Sequence, residues 1–190
     1  MTETPIENLI NNLLQDRNLQ GYSEKWANWE SQLLPTSCRY CVEQHGKIFD
    51  ISILDNKTEI QAHPNCKCVY VSMRTKLVGT ATDLGIDGVD MFIADYGYLP
   101  EYYVNKETAY KAGWKTIKKN LSAVLPGKVI GGDIYGNKNS KLPSSPGRIW
   151  YEADINYTSG KRNRQRIVYS NDGLMFATYD HFQTFYEIIG

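Results

Sequence analysis

Apolar and polar side chains alternate through residues 150–156: Tyr151, Ala153 and Ile155 fall on one side, Glu152, Asp154 and Asn156 on the other. A period of two predicts a strand with one face in a core and one face carrying polar groups. Thr158-Ser-Gly160 reads as a turn, after which Arg162, Arg164 and Arg166 would share one face of a returning strand. Asn171-Asp-Gly173 is a second turn signal, and residues 174–179 and 181–188 read as further strand-like runs. His181 would thereby return to the sheet that bears Glu152. Residues 108–113 read as helical, and 136–147, rich in Asn, Lys, Ser and Pro, as a loop.

The N-terminal pattern differs. Ile6, Leu9, Ile10, Leu13 and Leu14, then Trp26, Trp29, Leu33 and Leu34, fall at spacings that suit one or two amphipathic helices over residues 5–34, with Gly21 separating them. No apolar run is long enough to span a bilayer, and Met1-Thr-Glu-Thr-Pro lacks the basic start and apolar core of a secretory signal. The chain is therefore expected to be made in the cytoplasm. There is no internal repeat. The length permits two compact domains, expected at 1–78 and 87–190 with a linker at 79–86.

Charge changes the picture locally. The 190 residues have a formal net charge of 0, yet residues 105–170 hold 13 Lys and Arg against 4 Asp and Glu, a balance of +9. A basic face on a neutral protein steers polyanions to one site and limits non-specific adhesion. A carboxylate paired with an imidazole and flanked by arginines suits phosphodiester cleavage in RNA without a metal. Glu152 would take the proton of a ribose 2′-hydroxyl, His181 would protonate the departing 5′-oxygen, and Arg162 and Arg166 would hold the phosphate. Because the attacking hydroxyl belongs to the substrate, RNA is expected and DNA is not. Taken as residue types alone, the same groups also fit a surface ion pair and an exposed histidine.

Longer motifs narrow this. Leu99-Pro-Glu-Tyr-Tyr103, Ala112-Gly-Trp114, Ile130-Gly-Gly-Asp-Ile134, Lys141-Leu-Pro143, Glu152-Ala-Asp-Ile-Asn-Tyr-Thr-Ser-Gly160, Asp180-His181 and Gln183-Thr-Phe185 run in order. From about residue 83 to 190 the chain resembles the barnase-like microbial ribonucleases. The resemblance implies an α+β domain with N-terminal helices before a twisted antiparallel sheet, Glu152 as general base, His181 as general acid, and Lys106, Arg162 and Arg166 as phosphate-binding cations. It also implies that Asp133 supports the arginines, that Tyr135, Gly136, Asn137, Lys138 and Asn139 form the base-binding loop, and that Phe182 stacks on a base. Two positions depart from the family. Asn139 stands where a glutamate usually accepts from guanine, so guanine preference is expected to weaken, and Phe182 stands where a tyrosine is usual. A small acidic barstar-like inhibitor is the expected partner, presenting carboxylates to the same cations.

Cys38-Arg-Tyr-Cys41 and Cys66-Lys-Cys68 can supply four thiolates to one tetrahedral zinc, with His63 able to replace one of them; two disulfides or free thiols are the alternatives. Residues 30–75, above all Ala62-His-Pro-Asn-Cys-Lys-Cys68, resemble the C-terminal end of phage Mu F-like minor head (head morphogenesis) proteins. That resemblance implies a small helical, cysteine-rich adaptor domain, a toxin or effector of phage or mobile-element origin, and phage head or delivery proteins as partners. Delivery to a target cell or packaging with phage particles would then be its route. The competing class is a phage head-associated structural or nucleic-acid-binding protein without catalysis.

Overall fold

The computed structural model describes residues 21–53, 59–60, 62–118 and 120–190. The first expected helix lies outside them. The second is a strand: β1 spans Tyr22–Glu30. Trp26 and Trp29, three residues apart, fall on opposite faces of an extended chain, and both faces are covered. Trp26 packs among Ile48, Met73 and Leu142, and Trp29 among Cys41 and Cys68. A spacing that reads as one helix face is here two buried strand faces. The expected small helical N-terminal domain is thus corrected to a β-rich lobe holding one short α-helix, α1 (Arg39–Gln44), and a 3-10 turn at Ile51–Ile53 among the described residues.

In that lobe β1 pairs antiparallel with β2 (Ile48–Asp50) and with β4 (Cys68–Leu77), which also pairs with β3 (Glu59–Ile60). β4 then runs parallel to β10 (Tyr186–Ile189), Thr75 opposite Glu187 and Leu77 opposite Ile189. From β10 the sheet continues antiparallel through β9 (Met175–Thr178), β8 (Arg166–Ser170), β7 (Trp150–Asp154) and β6 (Val129–Ile134), and closes on β5 (Tyr103–Val104), parallel to β6. A large sheet with few helices agrees with the α+β expectation.

β8 is buried at every position and shows how the layers form. Its odd residues Ile167 and Tyr169 join Ala153, Ile155, Val89 and Ile93 under α2 (Val89–Tyr96). Its even residue Val168 joins Trp150, Phe176 and Phe185 on the other face, where Trp26 and Ile48 from the N-terminal lobe complete the cluster. A strand covered on both faces needs apolar side chains of both parities, and Arg166-Ile-Val-Tyr-Ser170 supplies them. Residues 79–86, expected as a linker, are tied in: the Val78 N–H donates to the Ile189 carbonyl at 2.7 Å, and the fully buried Asp90 accepts from Gly79 and Ala81 N–H at 2.7 and 3.1 Å.

Asn171-Asp-Gly173 does turn β8 into β9, with Gly173 at φ +91°. Arg148 reaches across to Asp172 through Nε and Nη2, at 2.8–3.0 Å. These bonds and one from Ser170 hold the Asp172 carboxyl at about 2, below its ordinary 3.8. A depressed folded-state pKa contributes stability above the unfolded value and loses it as pH falls through the folded one. Asp172→Asn is therefore expected to lower stability at neutral pH, by a modest amount because the carboxylate is 42% exposed. The gap to the wild type should close between about pH 4 and pH 2. Urea midpoints measured across that range check it, and a gap independent of pH would refute the assignment.

Candidate active site

The first group of site residues is built by a strand irregularity. β6 and β7 pair Gly131 with Ala153 but Asp133 with Glu152, so one residue is extruded between them. A side chain on Gly131 would press within 2.6 Å of Tyr103 and 2.8 Å of Ala153, and Gly132 sits at φ +88°. Both positions need glycine, and the bulge they allow re-aims Asp133 beside Glu152. Above them, α3 (Lys106–Lys111) starts at Asn105, whose side chain accepts the Thr108 N–H at 2.8 Å. The Asp133 carboxylate accepts the Lys106 backbone N–H at 3.1 and 3.2 Å, and the Lys106 ammonium contacts the Glu152 carboxylate. Asp133, expected to support the arginines, makes its hydrogen bonds to Lys106, and its charge also helps to raise the Arg162 pKa.

The carboxylate on the arginines is Asp154, which the sequence reading placed on the polar face without a role. It is fully buried. Arg162 grips it through Nε and Nη2, both at 2.6 Å, and Arg166 through Nε at 2.8 Å. For Arg162, burial lowers the pKa, but the two hydrogen bonds and the charge of Asp154 outweigh it and hold the guanidinium above its ordinary value. For Arg166, which meets Asp154 as an ion pair and lies beside the Arg162 charge, burial prevails and the shift is downward. The expected strand face of three arginines is not formed. Residues 161–165 are a loop pinned by Asn163, whose amide donates to the Ile155 and Asn156 carbonyls at 2.8 and 2.9 Å. Arg162 and Arg166 converge because that loop folds back, while Arg164 stays exposed.

His181 is not on a strand either. It sits in the turn between β9 and β10, where His181 and Phe182 are both left-handed, at φ +66° and +69°. Such backbone costs of order 1–3 kcal/mol per non-glycine residue and persists only when neighbours over-determine it. Here Asp180 accepts the Gln183 and Thr184 N–H groups, His181 N–H donates to the Arg164 carbonyl at 3.0 Å, and Phe182 N–H donates to Thr178 Oγ1 at 2.9 Å. Burial alone would raise the Asp180 carboxyl, but the hydrogen bonds from Thr184, Thr178 and Gln183 hold it below its ordinary value. The imidazole is exposed and shares an open cleft of about 470 Å³ with Trp114, Arg162, Asn163 and Arg166.

The Phe182 ring lies between His181 and Tyr135, with centroids 4.9 and 4.8 Å away. Burial and the nearby Glu152 charge push the Tyr135 hydroxyl up to about 12. Tyr135 opens the expected base-binding loop. Asn137, at φ +41°, spends its amide on closing that loop, accepting from the Leu142 N–H at 3.0 Å and donating to its carbonyl at 2.8 Å. Gly136, Lys138 and Asn139 are exposed.

Away from this cleft, the cysteines meet. His63 Nε2 lies 3.2 Å from both Cys38 Sγ and Cys41 Sγ, Cys41 Sγ lies 3.8 Å from Cys66 Sγ, and Cys68 Sγ joins the last two. His63 Nδ1 lies 2.8 Å from the Pro64 carbonyl, which leaves Nε2 directed at the sulfurs. All four cysteines are unbridged. A tetrahedron with metal–sulfur bonds of about 2.3 Å has an edge of about 3.8 Å, so this donor set fits zinc.

A ribonuclease family model matches residues 93–189. The chain is 50% identical over 102 residues to a ribonuclease of Heyndrickxia coagulans, covering 54% of this chain and 94% of that one. Ribonucleases of Bacillus intermedius and Bacillus pumilus are also 50% identical over 102 residues, and this chain spans 63% of their length.

Proposed function

This chain belongs to the ribonuclease family, and from that premise we propose that it cleaves single-stranded RNA internally by transphosphorylation. Glu152 removes the 2′-hydroxyl proton, the 2′-oxygen bonds to phosphorus, and the bond from phosphorus to the 5′-oxygen breaks as His181 protonates that oxygen. The products are a 2′,3′-cyclic phosphate and a free 5′-hydroxyl. Slower hydrolysis of the cyclic ester follows with the two roles reversed. Arg162 and Arg166 stabilise the charge gathering on the phosphoryl oxygens, and their common anchor on Asp154 spares them reorganisation as it develops. Lys106, in contact with Glu152, would exchange that carboxylate for a phosphate oxygen when substrate binds.

The observation that carries this reading is the pair of arginines fixed on one buried carboxylate beside an exposed imidazole. Digestion of a generic RNA in excess chelator tests it. The expected fragments end in cyclic phosphate and 3′-phosphate; 5′-phosphate ends, or loss of cleavage with chelator while the protein remains folded, would refute it. Because Asn139 offers a neutral amide, preference for guanine should be weaker than a carboxylate would give.

We further propose that Cys38, Cys41 and His63 with Cys66 or Cys68 hold a structural zinc. The reduced protein should carry about one equivalent of zinc, Cys41→Ser should lose most of it, and chelation should lower the melting temperature. Metal analysis that finds none would overturn the site. On the phage-head resemblance, the biological role is that of an effector or toxin of mobile-element origin, held in check in its maker by a small acidic inhibitor.

A further inference from the structure

Lys141 joins three parts of the molecule. Its carbonyl accepts the Ile48 N–H of the N-terminal lobe at 2.9 Å. The next residue, Leu142, is clamped on both backbone groups by Asn137 of the base-binding loop. Its ammonium donates to the Gln183 carbonyl at 2.8 Å, two residues beyond His181 in the left-handed turn. The bond takes the carbonyl of the residue whose N–H donates to Asp180, so both backbone groups of Gln183 are held.

The lobe leaves room for this ammonium. Gly46, at φ +74°, follows α1, the helix that carries Cys41, and a side chain at 46 would come within 3.4 Å of Lys141 Nζ. The Gly46 N–H donates to the Trp29 carbonyl at 2.8 Å, which fixes it to β1. Burial lowers the Lys141 pKa while Asp180 opposes the shift, so the cation sits in a partly desolvated gap, where an ammonium-to-carbonyl bond is stronger than in water.

We propose that Lys141 is a positioning residue for the general acid: held by the cysteine-rich lobe through Gly46–Ile48, it ties the His181 turn against the base-binding loop so that the imidazole meets the departing 5′-oxygen. The proposal rests on the ribonuclease reading above.

The test compares two substrates of the full-length protein. In a dinucleoside monophosphate the leaving 5′-oxygen needs a proton; in a nucleoside 3′-(4-nitrophenyl phosphate) the phenolate departs without one. The readout is the ratio of their kcat values. Lys141→Met, which keeps the stem and removes the donor, should lower that ratio about tenfold, a fraction of the 10²–10⁴ a placed acid contributes. His181→Ala should lower it further, and Lys141→Arg, which restores a donor, should recover part of the loss. Lys141→Leu, which also removes the donor, should lower the ratio in the same direction and gives a second route if Lys141→Met does not fold. An unchanged ratio in both variants, including one in which both substrates slow equally, would reduce Lys141 to a structural tie and overturn the proposal. If the wild type cleaves neither substrate, the ribonuclease reading fails and takes the proposal with it. If His181→Ala leaves the ratio unchanged while cleavage continues, the proposal falls together with the general-acid role of His181, and only RNA cleavage as such stands.

Discussion

Glu152→Ala and His181→Ala are each expected to slow RNA cleavage by about two orders of magnitude or more while leaving the fold intact. Glu152 contributes to β7 through its backbone, paired with Val168 and Asp133, and none of those pairings needs its side chain. Its carboxylate is 13% exposed and bonded to Lys106, whose own side chain is 33% exposed, so water can take over when the carboxylate is lost. His181 holds its turn through the backbone N–H, not the ring. The two variants should also fail to add: once either proton transfer is missing, removing the other should cost far less than it does alone. Initial rates on RNA, with melting temperatures within a few degrees of wild type, check all three statements. Near-full activity in either folded variant would remove that residue from the mechanism.

Asp154→Asn should act through stability. The exchange is isosteric but leaves two guanidinium groups facing a neutral amide, with Arg166 4% and Arg162 18% exposed. Removing one partner of a buried ion pair costs about 3–5 kcal/mol, because the remaining charge is left uncompensated away from water. Asp154 is fully buried, which removes the usual discount for solvent screening. For a chain of this length that is a fall of roughly 10 °C in melting temperature. Cleavage should fall as well, since the arginines lose the anchor that aims them at one phosphate. A double variant, Asp154→Asn with Arg166→Met, should recover part of the stability and none of the activity. A loss under about 1 kcal/mol in the single variant would mean that Arg166 is held by the Asn163 and Gln165 carbonyls and that Asp154 is not the main anchor of the pair.

Much of the site was legible because it sits on regular or well-signalled backbone. The alternation around Glu152 and the Asn-Asp-Gly turn follow local rules and the structure has them, while the helix expected over 108–113 is found two residues earlier, at Lys106–Lys111. Three features escaped for physical reasons. Periodicity assigns a residue to a face but not to a partner, so Asp154 was grouped with Glu152 while its two arginines lie 8 and 12 residues on, across a folded-back loop. Left-handed backbone at His181 and Phe182 has no residue signature, since the usual markers are Gly and Asn, and the segment read as a strand. Trp26 and Trp29 matched a helical spacing because a strand buried on both faces loses its alternation. The cysteine cluster was readable from its pairs, but the closeness of His63 to Cys38 and Cys41 is a product of the fold.

The parallel pairing of β4 with β10 has a consequence for solubility. Without β4, the outer side of Tyr186–Ile189 would present a row of unpaired N–H and C=O groups next to the apolar face formed by Phe176 and Phe185. That is the template on which chains stack edge to edge. The charged, irregular β1–β4 lobe occupies it and hands the outer edge to β2, three residues long and ending in Asp50. The lobe therefore keeps that edge paired within the chain, and a cut between β4 and α2 that removed it would expose the outer side of β10.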